Sequence, residues 1–216
     1  MIVTSEIVQL KLPESRTIRS MGVHQSAIIR CVATEYGLLK PEWAEELSLV
    51  DVRTITDQKA ILRICMGLAW EEWYIGSQID DVIDHPDEIQ YEGVYMSLDG
   101  ESLSVVFSHR DNKSVVTTVI HEVKSTYKSP NNVGLFDTPD RIRKNWMWLA
   151  QLKSYCIAKG TRFACLHVLY FIADYKAWPK EPLKMKYHIE FTEEELQENW
   201  TFLKDYRDHR MEIENQ

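Results

Sequence analysis

The stretch Val115-Val-Thr-Thr-Val-Ile-His-Glu-Val-Lys-Ser-Thr126 decides the fold. Its β-branched residues predict a strand over 115–126, and its apolar centre is typical of a strand covered on both faces. Side chains alternate between the two faces of a strand, so Glu122 and Lys124 project to one side, about 7 Å apart along the chain. His121 and Val123 project to the other side. An acid and a base therefore share one face of an apolar strand, where buried charges require a partner or a metal.

Four other segments carry strand signals, and turn residues separate them. They are residues 89–98, 103–109, 162–174 and a segment near 184–191, with turns expected at Asp99-Gly100 and at Asp111-Asn112-Lys113. The acidic segment 78–88, which contains Pro86, and the turn-rich segment 127–137 are expected to be loops.

Helical periodicity occurs in four segments. They are 22–36, which ends near Gly37; 57–77, which Asp57 opens; 138–159, which starts at Thr138-Pro139 and stops at Gly160; and a last helix after Thr192. Glu195 follows Thr192 by three residues, which is the spacing of a capping box. The order of elements predicts an α/β (α+β) fold in which helices flank a central mixed β-sheet. The length suits a single domain over 1–216.

Composition and charge limit the function classes. The chain of 216 residues is 44% hydrophobic and carries a net charge of −8, which argues against a broad basic surface that coats nucleic acid. A local basic face remains compatible with this charge. The segment Met1–Pro13 has no apolar run like that of a signal peptide, and no stretch approaches the ~20 apolar residues of a membrane span. We therefore expect a cytoplasmic protein without membrane association.

Several common sites are absent from the sequence. There is no Gly-x-x-x-x-Gly-Lys-Ser/Thr, no Gly-x-Ser-x-Gly and no His-Glu-x-x-His, so nothing indicates an enzyme of those classes. Cys31, Cys65, Cys156 and Cys165 form no Cys-x-x-Cys pair, which argues against a zinc ribbon and favours reduced core residues. His121 and His167 are expected to be packed or hydrogen-bonded in the interior.

A second acid is expected beside the strand 115–126. Asp99 ends the segment 89–98, and Gly100 permits a tight turn after it. If the two strands pair, Asp99 and Glu122 meet around one divalent cation, and hard oxygen ligands favour Mg²⁺ or Mn²⁺.

These residues resemble a known superfamily. Asp99 followed by Glu122-Val123-Lys124 resembles the signature of PD-(D/E)xK nucleases, and Ser97-Leu-Asp-Gly100 is similar to the Ser-Pro-Asp-Gly of lambda-type (YqaJ) viral exonucleases. Gln151 and Tyr155 resemble the Gln-x-x-x-Tyr helix motif of RecB-like nucleases. Gly67-Leu-Ala-Trp-Glu71 resembles the Gly-x-x-x-Glu of the lambda-type group, whose acid completes the metal site. The four pieces occur in the family order.

Two features depart from the family. RecB-like members carry Gly-x-x-Asp before the catalytic strand, whereas Gly93-Val-Tyr-Met96 places methionine there. Met96 and the acidic net charge leave an alternative open, a catalytically inactive nuclease-fold module that binds DNA or a protein partner. Some RecB relatives hold an iron–sulfur cluster through one early and three late cysteines. This chain has two before the motifs and two after, which argues against a cluster.

The resemblance implies a restriction-endonuclease-like core and a Mg²⁺- or Mn²⁺-dependent DNA nuclease. It is expected to be an exonuclease or single-strand nuclease of recombination, repair or defence, in a bacterial or phage-infected cell. Asp99 and Glu122 would bind the metal with Glu71 and the Val123 carbonyl, and Glu72 is the alternative to Glu71. Lys124 would activate the attacking water, Gln151 would fix Lys124 or a phosphate, and Tyr155 would brace the site or contact the DNA backbone.

The implied partner is single- or double-stranded DNA, with a recombination or repair protein and an oligomeric state left open. Basic residues near the Gln-Tyr helix are the candidates for phosphate contacts. They are Lys128, Arg141, Arg143, Lys144 and Lys153.

Overall fold

The computed structural model describes residues 22–39, 58–78, 82–84, 86–127, 145–171 and 183–214. Asp57, which was expected to open a helix, lies outside the described residues, as do His85 and the segment 128–144.

The strands form two sheets. The strands are β1 (Val23–His24), β2 (Ile83–Asp84), β3 (Ile89–Tyr91), β4 (Val94–Met96), β5 (Gly100–Ser108), β6 (Lys113–Thr126), β7 (Phe163–Tyr170) and β8 (Leu183–Glu190). The larger sheet has the order β2-β5-β6-β7-β8, and a smaller one has the order β1-β4-β3. In the larger sheet β6 is central, antiparallel to β5 and parallel to β7. The predicted mixed sheet is confirmed.

Helices pack against both faces of the larger sheet. They are α1 (Gln25–Glu35), α2 (Gln58–Gln78), α3 (Trp146–Lys159) and α4 (Glu193–Glu214). On one face, Ile120, Leu166 and Val168 join buried residues of α1, α3 and α4 in the main core. We call this the three-helix face. On the other face, Val123 packs against Tyr74 and Ile75 of α2, and we call this the α2 face. The predicted flanking helices are thus confirmed.

The caps of the helices follow the predicted chemistry. Gly37, after α1, and Gly160, after α3, have φ angles of 66° and 65°, the left-handed backbone that glycine adopts without strain. Before α4, the Thr192 amide donates to Glu195 Oε2 and the Glu195 amide donates to Thr192 Oγ1, both at 2.8 Å. The capping box is therefore confirmed, and both of its donors are satisfied.

Two predictions, one about a strand and one about a loop, were wrong. The segment 89–98 is not one strand, because a turn at Glu92 and Gly93, with φ angles of 45° and 78°, folds it into the hairpin β3–β4. The segment 78–88 is not wholly a loop, because Ile83 and Asp84 pair with the start of β5.

Gly100 is not in a turn but is the first residue of β5, opposite His121. A Cβ at this position would lie 2.8 Å from Val82 Cγ1, so the glycine is needed for close packing rather than for a turn.

In the part of the chain that the structure describes, no helix is both long and apolar enough to cross a membrane. Cys31, Cys156 and Cys165 are buried, Cys65 is half-buried, and none of the four forms a disulfide bond.

Candidate active site

Asp99 and Glu122 lie near each other where β6 extends beyond the first residue of β5. Because β5 begins at Gly100 opposite His121, β6 from Glu122 onward has no partner on that edge among the described strands. Asp99 stands immediately before β5, and its Oδ2 accepts a hydrogen bond of 2.7 Å from the Val123 amide. The carboxylate therefore replaces the missing ladder bond. The N–H and C=O of one strand residue point to the same edge, so the Val123 carbonyl is directed toward the edge that Asp99 occupies.

Glu122 and Lys124 project together from β6, on the three-helix face. The Glu122 side chain is fully buried, that of Lys124 is 24% exposed, and Lys124 Nζ donates to Glu122 Oε1 in an ion pair. The second carboxylate oxygen, Glu122 Oε2, is buried, and no described residue donates a hydrogen bond to it. A buried carboxylate oxygen without a donor is costly unless a cation or a ligand approaches it.

The charges at this place act strongly on one another. Burial raises the pKa of Glu122, and the neighbouring Asp99 raises it further, while Lys124 opposes the shift. For Lys124, burial alone would lower the pKa, but Glu122, Asp99 and Glu71 outweigh it and raise the pKa, so the ammonium stays charged. When Glu122 is ionised together with Asp99 and Glu71, the three carboxylates and one ammonium have a formal charge of −2. A divalent cation would balance this charge.

Helix α2 carries the two candidates for a third acid, Glu71 and Glu72. It passes β6 at Gly67, where a Cβ would make an ordinary contact of 3.5 Å with Ser125 Oγ. Glu71 lies one turn further along α2, on the same helix face as Gly67. Its charge acts on both Glu122 and Lys124, whereas Glu72 is exposed on the next face of the helix. Of the two acids that the sequence left open, Glu71 is the one whose charge acts on the pKa of Glu122 and of Lys124.

Helix α3 braces the segment that carries Asp99. The buried Tyr155 hydroxyl donates to the Ser97 carbonyl at 2.7 Å, and Gln151 Nε2 donates to that hydroxyl at 2.6 Å. Gln25 Nε2 of α1 in turn donates to the Gln151 carbonyl at 3.0 Å. Tyr155 therefore braces the site as one of its two expected roles, and Gln151 orients Tyr155 rather than Lys124 in this structure.

The comparisons with known proteins give only distant relatives. No protein-family model matches the sequence, and no curated protein is similar to it. Among solved structures, a phage related exonuclease from Haemophilus somnus 129PT is 13% identical with a TM-score of 0.48, covering 89% of this chain and 96% of that one. The protein SSO0001 is also 13% identical, with a TM-score of 0.42 and coverages of 88% and 78%. Likenesses this distant say nothing about activity.

Of the five basic residues expected to contact DNA, the structure describes only Lys153. Lys128, Arg141, Arg143 and Lys144 lie outside the described residues. Lys153 Nζ lies 5.6 Å from the centre of the Phe191 ring. Because helix residues two positions apart do not share a face, the structure does not bring Lys153 to the side of α3 that holds Gln151.

Some partners of the site were not foreseen in the sequence. Gln25 is a buried polar residue among the apolar buried residues of α1, and it donates to the Gln151 backbone carbonyl. Ser97 contributes through its backbone carbonyl, which no side-chain pattern can reveal. Met96, at the place of the RecB-like acid, is 1% exposed and belongs to the main core. The acid of this chain comes three residues later, at Asp99.

Proposed function

We propose that this protein is a divalent-metal-dependent nuclease of the PD-(D/E)xK superfamily that hydrolyses phosphodiester bonds in DNA. One observation supports the proposal most directly: Asp99 accepts from the Val123 amide, between Glu122, whose Oε2 has no donor among the described residues, and Lys124, which pairs with Glu122. The charge of Glu71 on α2 also acts on Glu122 and Lys124. This is the constellation that the sequence motifs of the superfamily imply.

The residues present fit a Mg²⁺ or Mn²⁺ ion. Glu122 Oε2 is buried and lacks a donor among the described residues, and the cluster carries an excess of negative charge. Asp99 uses Oδ2 for the Val123 amide, which leaves Oδ1 for an ion. The ligands would be Glu71, Asp99, Glu122 and the Val123 carbonyl, all of them hard oxygen donors. A bound divalent ion polarises the scissile phosphate and makes a neighbouring water easier to deprotonate.

Lys124 supplies the charged group beside this position. Its ammonium is held in the charged form by the three acids, and its side chain is partly exposed, so it can meet a substrate. In this role Lys124 orients the attacking water and stabilises the negative charge that develops on the phosphate. Tyr155 and Gln151 are positioning residues, because they act on Asp99 through the Ser97 backbone.

The substrate class follows from the same resemblance. We place the protein among exonucleases or single-strand nucleases of recombination, repair or defence, acting on DNA in a bacterial or phage-infected cell. The basic residues 128, 141, 143 and 144 precede α3 in the chain and are the proposed phosphate contacts.

Met96 motivates a second candidate function. The position at which RecB-like nucleases carry an acid is apolar and buried here, which is compatible with a nuclease fold that binds DNA or a protein without cutting. The two functions differ in metal binding. Calorimetry with Mn²⁺ should give heat of binding for the nuclease, and retained DNA binding without metal binding supports the inactive module.

The cleavage test uses the full chain with linear double-stranded and single-stranded DNA, in Mn²⁺, Mg²⁺ or EDTA. We expect cleavage with either ion and none in EDTA. Glu122→Ala and Lys124→Ala should each lower turnover by roughly 10³-fold or more, because each removes a group that acts on the reacting phosphate.

The matched control is Lys204→Ala, which removes an exposed lysine of α4 that pairs with Glu92. This variant should retain full turnover. Circular dichroism of each variant confirms that it is folded. Full activity of folded Lys124→Ala would overturn the mechanism.

A further inference from the structure

A chain of polar side chains crosses the α2 face, on the opposite side of β6 from Glu122. Ser104 Oγ meets Ser102 Oγ at 2.9 Å, and Ser102 Oγ meets His121 Nε2 at 2.9 Å. His121 Nδ1 then meets His167 Nε2 at 3.1 Å, and His167 Nδ1 meets the Tyr74 hydroxyl of α2 at 3.0 Å. The two imidazoles thus face each other and are each held from behind by a hydroxyl.

A cysteine completes this group. Cys165 stands opposite His121 in the parallel pair β6–β7, and His167 stands opposite Val123, so all three side chains share the α2 face. Cys165 Sγ and one ring nitrogen from each histidine lie within 4.8 Å of one another. His121, Cys165 and His167 are 5%, 1% and 0% exposed.

We propose that His121, Cys165 and His167 form a binding site for a zinc-class transition-metal cation. One sulfur and two imidazole nitrogens are the donor set that Zn²⁺ and similar ions favour, and Mg²⁺ does not. The separation of the two ring nitrogens, 3.1 Å, is close to the about 3.3 Å that two nitrogens in a tetrahedral zinc site require. A shift of a few tenths of an ångström would admit the ion.

The groups behind the histidines suit ligation. A metal-binding imidazole normally donates its other N–H to a fixed oxygen, which sets the ring orientation. Ser102 Oγ occupies that position for His121, and the Tyr74 hydroxyl occupies it for His167. The two rings are therefore aimed at each other whether or not an ion lies between them.

The protonation states of the two histidines and of the cysteine allow a metal ion to bind. Burial lowers the pKa of His121 to about 4 and that of His167 to about 3, so both rings are neutral at neutral pH and can ligate. Burial raises the pKa of the Cys165 thiol to about 12, so the thiol is protonated until a metal binds. In the metal-free protein one of the two facing nitrogens carries the proton of their hydrogen bond. On binding, that ring changes tautomer so that its proton moves to the hydroxyl-facing nitrogen, the other ring keeps its proton there, and the thiol proton leaves to solvent. The thiolate reduces the charge of the divalent ion to +1, which limits repulsion from the nearby Lys186.

The test titrates metal-free full-length protein with Co²⁺, which reports sulfur and tetrahedral ligands by its absorption. We expect a thiolate-to-cobalt charge-transfer band together with visible d–d bands, and both should disappear when Zn²⁺ is added. Zn²⁺ should also raise the thermal unfolding midpoint by several degrees, because it binds the folded state.

Four variants locate the ion. Cys165→Ser should lose the charge-transfer band, whereas Cys65→Ser, which removes the more accessible thiol, should keep it. Glu122→Gln should also keep it, since the carboxylates lie across the sheet. This control separates the proposal from the proposed nuclease site. His167→Gln is the second disrupting variant if Cys165→Ser does not fold.

Two results would overturn the site. One is a folded wild-type protein that gains neither the band nor thermal stability. The other is a band that survives in folded Cys165→Ser or His167→Gln. In either case the polar chain serves only to satisfy the buried histidines.

Discussion

His121 and Glu122 are consecutive residues of one strand, yet their surroundings differ in kind. On the α2 face, both ring nitrogens of His121 have partners inside the protein, and burial keeps the ring neutral. On the three-helix face, Glu122 Oε1 accepts a hydrogen bond from Lys124, and Oε2 has no donor among the described residues. Burial and the neighbouring acids raise the pKa of Glu122. In the metal-free protein the polar atoms of the first arrangement have partners, whereas Glu122 Oε2 in the second has none among the described residues.

The two faces of β6 also differ in their access to solvent. The His121 side is closed by α2, whose Tyr74 lies directly on His167. The Glu122 side lies beyond the first residue of β5, and Lys124 is partly exposed there. The carboxylate side therefore reaches solvent through Lys124, whereas the histidine side is covered by α2. The following changes test this contrast, from the largest expected effect to the smallest.

Replacing Asp99 separates its two tasks. Asp99→Asn and Asp99→Ala should both lower metal-dependent turnover by roughly 10³-fold, because each removes a charged ligand. Only Asp99→Ala leaves the buried Val123 amide without an acceptor, so it should be roughly 2 kcal/mol less stable than Asp99→Asn. Urea unfolding of the two variants measures the difference. Equal stability would show that the Asp99–Val123 hydrogen bond contributes nothing.

The two acids of α2 form a matched pair. Glu71→Gln should weaken metal-dependent turnover by roughly 10- to 100-fold, because it removes one of the three charges around Lys124. Glu72→Gln removes the same charge from the exposed side of the helix and should change turnover less than about twofold. Kinetics at several Mn²⁺ concentrations distinguish weaker metal binding from slower chemistry. A larger loss in Glu72→Gln would reverse the assignment.

The histidine side should respond to acid in metal-free protein. The folded-state pKa values of His121 and His167, about 4 and about 3, lie below the ordinary value of 6.5, so the unfolded chain takes up protons first. Their contribution to stability is complete above pH 6.5 and is lost as the pH falls toward 4. Between pH 7 and 5 the loss should be roughly 2 kcal/mol for each histidine, about 4 kcal/mol for the pair.

Urea unfolding in EDTA at the two pH values measures this loss. His167→Gln should make the stability less dependent on pH. The exposed His109→Gln should leave the dependence as in the wild type. An identical slope in all three proteins would contradict the assignment to the buried pair.

The smallest effect is expected at the brace. Tyr155→Phe removes the donor to the Ser97 carbonyl and should cost roughly 1 kcal/mol of stability. Turnover should fall several-fold with little change in KM, because Asp99 is held less firmly. Tyr206→Phe removes a hydroxyl that bonds Glu35 at the surface and should leave turnover unchanged. A positioning role for Tyr155 is excluded if the two variants behave alike.

The parts of the fold that depend on local pattern could be predicted from the sequence. The alternation in 115–126 placed Glu122 and Lys124 together and His121 apart from them. Gly160 and the Thr192–Glu195 pair marked helix ends correctly, because caps involve residues close in the chain. The four-residue spacing between Gly67 and Glu71 also predicts that Glu71 lies on the same side of α2 as Gly67, which faces Ser125 of β6.

The remaining features depend on pairing over long distances. The hairpin at Glu92-Gly93 was missed because its turn interrupts an otherwise continuous strand pattern. Gly100 was assigned to a turn because the close contact with Val82 comes from a segment whose path the sequence does not show. The meeting of Cys165 with His121 depends on the register between β6 and β7, which no spacing within either strand specifies.

The bond between Asp99 and the Val123 amide makes one backbone proton an internal reporter. Most strand amides in a sheet are shielded by a neighbouring backbone, but this one is shielded by a side chain that can rotate. Its hydrogen-exchange rate therefore measures how firmly the carboxylate is held. The NMR signal of this single amide would reveal movement at the site before any bond in a substrate is broken.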